Sequence, residues 1–147
     1  MKNFELAPTF SALKKINLSL IKDKKSKDRL FELSLDLLAA NRALQQKRED
    51  IRTVVLGPVQ DSLDEIDKLR FKMNQETDEE KKKALLEEIN SHKETLDPIY
   101  EFTQKTDKLM QEDVEIKGLP RDSFMKVLSG LDGIDASILE GLFPVLE

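Results

Sequence analysis

A mainly α-helical fold, organised as a long antiparallel hairpin of coiled-coil character with a small two-stranded β ribbon and short C-terminal helices, is what this chain of 147 residues predicts. Three observations carry that expectation. Apolar residues recur at alternating steps of three and four over two long stretches, which is the spacing of a helix-packing seam. Charged residues make up 36% of the chain, with one Tyr and no Trp, a composition suited to helices that hide one stripe and wet the rest. Only two short segments, KNFEL (2–6) and DVEIKGL (113–119), alternate with the period of a strand.

Element by element, KNFEL is the first expected strand, closed by Pro8. A helix is expected over 9–22, with Thr9 as N-cap and Leu13, Ile16 and Leu20 on its apolar face. The lysine-rich turn that follows leads into a helix over 27–56 capped by Ser26, whose seam runs through Leu30, Leu33, Leu37, Ala40, Leu44, Lys47, Ile51 and Val54. Gly57-Pro58 breaks or kinks the backbone, since proline lacks a donor and disfavours helix at the preceding residue. A helix over 58–74 resumes, and Thr77 with Glu80 has the form of a capping box that starts a new helix near Asp78. That helix, over 78–112, carries the second seam through Leu85, Ile89, His92, Leu96 and Ile99, with a kink expected from Pro98. The two seams are expected to pack face to face as one single domain, Leu37, Leu44 and Ile51 against Leu85, Ile89 or Leu96. The strand over 113–119 then pairs with 2–6, and short helices over 121–130 and 135–143 close a small apolar knot.

Chemistry is thinly represented. There is no Cys, which removes disulfides, thiolate metal sites and thiol nucleophiles. His92 is the single histidine and falls on the expected seam, where a structural role is the common one. No Glu precedes it by three positions, so the di-iron bundle motif is missing, and no glycine pattern forms a phosphate loop. No catalytic residue, cofactor or metal ligand is assigned. A formal charge of −5 supplies no net attraction for a nucleic-acid backbone. Lys22, Lys24, Lys25, Lys27 and Arg29 form a local basic exception that could touch phosphate, although a solvated linker is the commoner meaning of such a turn. No signal-like segment opens the sequence and no apolar run is long enough for a membrane span. Recognition is therefore expected from apolar side chains: Val114 and Ile116 on the strand edge, and Leu139, Leu142 and Phe143 at the C-terminal end, these last three serving either the small core or a partner's groove.

The order FSALKKI, KDKKSKDRL, FELSLDLLAANRALQQKREDI, DVEI and LSGLDGIDASILEGLFPVLE resembles a group of small proteins encoded by tailed bacteriophages and prophages, mostly without assigned function. Those proteins open with a short strand and a first helix, pass through a lysine-rich turn and a long helix, and end on an EVEI-type strand and an L-x-GLE tail. The longer middle and the Gly57-Pro58 break depart from that pattern. The resemblance implies a non-enzymatic component of the virion or of its assembly, working through contacts with other phage proteins or with itself, in the virion or the host cytoplasm. A phage accessory protein that binds and inhibits a host enzyme or defence protein is the alternative.

Overall fold

The structure is a computed structural model describing residues 1–147, and it is mainly helical, 80% of the chain. Seven α-helices follow in order: α1 (Leu6–Lys14), α2 (Lys24–Leu56), α3 (Gln60–Gln75), α4 (Glu79–Ser91), α5 (Leu96–Gln111), α6 (Arg121–Ser129) and α7 (Ala136–Leu142). Short 3-10 turns stand at Asn3–Glu5, Leu18–Leu20, Gly57–Val59, Lys93–Thr95 and Phe143–Val145.

Prolines explain several boundaries. Pro8 occupies the third position of α1 and Pro98 the third position of α5, where the amide hydrogen would have no helical partner in any case. Helix α1 therefore starts before Pro8, at Leu6, and the expected cap Thr9 is instead a fully buried interior residue whose Oγ1 has no partner. Likewise the expected helix over 78–112 is two helices. The first stops at Ser91, His92 takes a non-helical conformation, and Pro98 opens the second helix where a kink was expected. Gly57-Pro58 produces a 3-10 turn between α2 and α3.

The chain forms two compact units, Met1–Gln46 with Leu109–Glu147, and Lys47–Lys108. In the second, α3 and α4 pack on each other, and Ile66, Leu69 and Ile89 form a small core joined by Met73 and Leu85. The reversal between them lies at Glu76–Asp78. Asp78 is the N-cap of α4, its carboxylate accepting from the amides of Glu80 at 2.9 Å and Lys81 at 3.4 Å. The ridge of Leu85 and Ile89 thus closes on its sequence neighbour α3, while Leu96 (62% exposed) and Ile99 (41%) stay open to solvent.

The first unit holds most of the buried apolar residues. Leu6, Leu30, Leu33, Leu37, Leu119, Leu128 and Leu142 are completely or almost completely hidden, with Leu44, Leu109, Phe124, Ile138 and Val145 close to it. Helix α2 starts three residues earlier than expected. Asp23, not Ser26, caps it, accepting from Ser26 N at 3.0 Å and Ser26 Oγ at 2.6 Å. Those bonds, the hydroxyl's first and the amide's second, hold the Asp23 carboxyl below its ordinary pKa. Helix α7 keeps the expected cap, Asp135, bonded to Ile138 N at 3.0 Å, after a turn at Gly133 whose φ of 81° suits glycine.

No β ribbon forms. The N-terminal segment is a 3-10 turn leading directly into α1: Asn3 is buried and Phe4 faces solvent, while Leu6, expected on the same side as Phe4, is fully buried. Residues 113–119 form no strand either. One antiparallel bridge joins Lys2 to Asp113, and one parallel bridge joins Leu119 to Leu146. The alternation failed as a guide because the segment is shared between two partners and never runs far enough beside either one to build a ladder.

Helices α1 and α7 meet where Gly141 lies over Ala12: a Cβ at Gly141 would come within 2.5 Å of the Ala12 Cβ and 3.4 Å of the Pro8 carbonyl. In an ordinary helix Gly→Ala stabilises by about 1 kcal/mol. Here Gly141→Ala is expected to destabilise by about 1–3 kcal/mol through overpacking, read as a lower urea midpoint. A rise in the midpoint would contradict this contact.

Candidate functional site

Residues 112–121 are the junction of the first unit. On the N-terminal side, Asn3 N donates to Glu112 O at 3.0 Å, Asn3 Nδ2 to Leu109 O at 2.8 Å, and Val114 N to Met1 O at 2.9 Å. Asn3 thereby binds the chain where α5 ends, sharing Leu109 O with the Glu112 amide (3.2 Å) and taking up Glu112 O just beyond the helix. Further along, the Arg29 guanidinium donates to Lys117 O and, at 3.3 Å, to Gly118 O, tying the junction to α2. At its far end Leu119 N donates to Val145 O at 2.6 Å, Glu147 N to Leu119 O at 2.9 Å, and Arg121 N to Glu147 O at 2.8 Å. Val114 and Ile116 are half-buried between these attachments.

Helix α6 leaves this junction at Pro120, and it and α7 line the two sides of an open groove of about 340 Å3. Arg121 and Met125 on α6 stand four residues apart, while Ala136, Leu139, Glu140 and Phe143 follow the spacing of one helical stripe; Leu146 completes the lining. Its volume is at the low end of the range for ligand pockets, roughly 300–1,000 Å3. Phe143 is 64% exposed on the rim, and the Arg121 guanidinium lies 5.3 Å from the centre of its ring, a cation–π distance that orients both.

The three C-terminal residues singled out from sequence thus separate. Leu142 is fully buried core, Leu139 is half-buried in the groove, and Phe143 is an exposed rim residue. One residue step along a helix turns the side chain by about 100°, enough to send Leu142 inward and Phe143 outward. Arg121, Met125, Ala136 and Leu146 were not anticipated. Their signal, the four-residue step from Arg121 to Met125 facing a second short helix, becomes readable only once α6 and α7 are known to be adjacent. Among the seam residues, Leu30, Leu33, Leu37, Leu44 and Ile89 are buried, Ile51 and Leu85 half-buried, and Leu96 and Ile99 exposed.

The second unit has its own hollow, about 490 Å3, beside the reversal that joins α3 to α4, lined by Phe71, Lys72, Gln75, Glu76, Lys81, Ala84 and Leu85. His92 faces Glu94 in an exposed pair at 3.0 Å, which lowers the Glu94 pKa. No group of three or more His, Cys, Asp or Glu side chains could share a metal ion, and no helix is long and apolar enough to cross a membrane.

The junction carries one pH-dependent contact. Lys2 Nζ stands 2.8 Å from Asp113 Oδ1, and its hydrogen bond, then its charge, hold the Asp113 carboxyl below the ordinary pKa. A carboxylate with a lowered folded-state pKa contributes stability above the unfolded value, and that contribution disappears as pH falls through the folded one. The Asp113 carboxyl is therefore expected to titrate below the ordinary aspartate range, and Lys2→Met should raise its NMR titration midpoint toward that range. An unchanged midpoint would remove the ion pair from the account.

Compared with protein-family models, curated proteins and solved structures, the chain matches none.

Proposed function

We propose that this chain is a non-enzymatic protein-binding component of a tailed bacteriophage, virion-associated or engaged in assembly, and that the α6/α7 groove is its contact surface. The observation that carries the reading is the combination of an open apolar groove with a large aromatic on its rim. Phe143 and Met125, 64% and 38% exposed, flank a lining of Ala136, Leu139 and Leu146. Exposed large apolar side chains that line a concavity favour burial against a partner, and aromatic anchors dominate the energetics of such contacts. The framework behind the groove is fixed by buried Leu128, Ile138 and Leu142 and by the junction bonds, so docking would need little reorganisation. The phage assignment is supported by the order of sequence parts and by nothing in the groove itself.

Phe143→Glu separates the groove from the fold, because the side chain is mostly in solvent. With the tagged chain produced during phage growth, a phage structural protein identified by mass spectrometry should co-purify. Phe143→Glu is expected to reduce its recovery at least tenfold, the loss of an anchor worth about 2 kcal/mol, with the helical circular dichroism unchanged. Undiminished recovery by the variant would contradict the groove as contact surface. Recovery of a host enzyme or defence protein, lost in the variant, would favour the inhibitor instead.

A further inference from the structure

The opposite side of α6 carries a different surface. Two adjoining hollows, about 890 and 390 Å3, share Ser26, Pro120 and Glu147. Their lining includes Lys25 and Arg29 from α2, Lys117 from the junction, and Arg121 and Lys126 from α6. Against these five cations stand three carboxylates, Asp23, Asp122 and Glu147. In a chain with 24 basic and 29 acidic residues, that is a local reversal of sign. Lys25, Lys117, Arg121 and Lys126 take part in none of the ion pairs of the molecule. The Asp23 carboxylate is already engaged by Ser26, and the Arg29 guanidinium by two carbonyls and Glu32. The basic turn picked out in the sequence is thus brought beside cations from remote parts of the chain.

Arg121 lines both this basic surface and the apolar α6/α7 groove, so the two are continuous around the start of α6. The geometry points to one occupant: an acidic segment of a partner protein that lays carboxylates against Lys25, Lys117 and Lys126 and passes an apolar side chain by Arg121 into the groove. This inference rests on the protein-binding reading above and supplies the chemistry of the partner. Two further features favour an acidic peptide over a nucleic acid. A continuous phosphate backbone would be repelled by Asp122 and Glu147 inside the same surface, whereas side-chain carboxylates can be spaced around them. The chain also lays its own glutamate there: Glu147 runs over Gly118, its carboxyl carbon 2.5 Å from where a Cβ would stand, so the surface already admits an acidic side chain.

The test is an NMR titration of the full isotope-labelled chain with three probes: a synthetic peptide rich in Glu with interspersed Leu and one Phe, the same peptide with Lys replacing Glu, and a short DNA duplex. The acidic peptide is expected to shift amides of Lys25–Arg29 and Lys117–Lys126 saturably, with affinity falling about tenfold on raising salt from low to high. The Lys25→Glu/Lys126→Glu variant should lose these shifts while keeping the native spectrum elsewhere. Phe143→Glu should weaken binding without abolishing the shifts at Lys25–Arg29. Absence of saturable shifts at millimolar acidic peptide, or equal binding of the Lys peptide, would overturn the inference. Tighter binding of the duplex than of the acidic peptide would replace it with a nucleic-acid surface. If the inference fails while Phe143→Glu still loses the co-purified phage protein, the apolar groove alone is the contact surface.

Discussion

Pairing of the backbone at residues 112–121 with three remote pieces of chain is the constraint on which the first unit depends. Asn3 reaches α5 across a separation of 106 residues, and Arg29 reaches Lys117 across 88. The entropy of closing a loop grows only slowly with its length, so a few well-made contacts suffice once apolar burial accompanies them. Burial and pairing are coupled. Where the segment is buried, at Gly118 and Leu119, its backbone cannot keep unpaired amides and carbonyls without cost. The bonds of Leu119, Arg121 and Glu147 meet that need at one end, and those of Asn3 and Val114 at the other. The two terminal attachments are single bridges and the third is the Arg29 side chain, so no ladder forms and no strand develops.

This junction also decides where the binding surfaces lie. It fixes the start of α6 at Pro120, and with it Arg121, the residue common to the apolar groove and the basic surface. The glycine contact between α1 and α7 sets the other wall, because only a residue without a Cβ lets α7 approach Ala12 so closely. Leu142 then anchors α7 inward while Phe143, one position later, is left outside. The functional proposal therefore depends on packing at a distance from the groove as much as on the residues that line it.

Much of the helical organisation was legible in the sequence. The three-four spacing of Leu30, Leu33, Leu37 and Leu44 marks buried positions, and Asp135 caps α7 as its place before an apolar run suggests; a helix start was expected near Asp78, but the cap is Asp78 itself and not the expected Thr77 of a capping box with Glu80. Beyond Leu44 the seam loses its meaning: Val54 is 73% exposed while Val55 and Leu56 are buried, since the apolar face shifts around the helix as its surroundings change. The expected strands were misleading for a physical reason. Alternation in KNFEL puts Phe4 and Leu6 on one side, but Leu6 is buried while Phe4 is exposed, and Asn3 is buried too, held by hydrogen bonds to α5 that no local pattern records. The groove was legible only in part. Leu139 and Phe143 stood out as apolar residues near the end of the chain, whereas Arg121 and Met125 acquire significance from the helix packed beside them.

Backbone hydrogen exchange tests the central claim most directly. If the 112–121 junction holds the first unit together, the amides of Asn3, Val114, Leu119, Arg121 and Glu147 should exchange slowly, and together, with protection comparable to that of buried Leu33 and Leu128. Exchange of these five amides at the rate of an unstructured peptide, while Leu33 and Leu128 remain protected, would show that the helices hold without the junction and contradict the account.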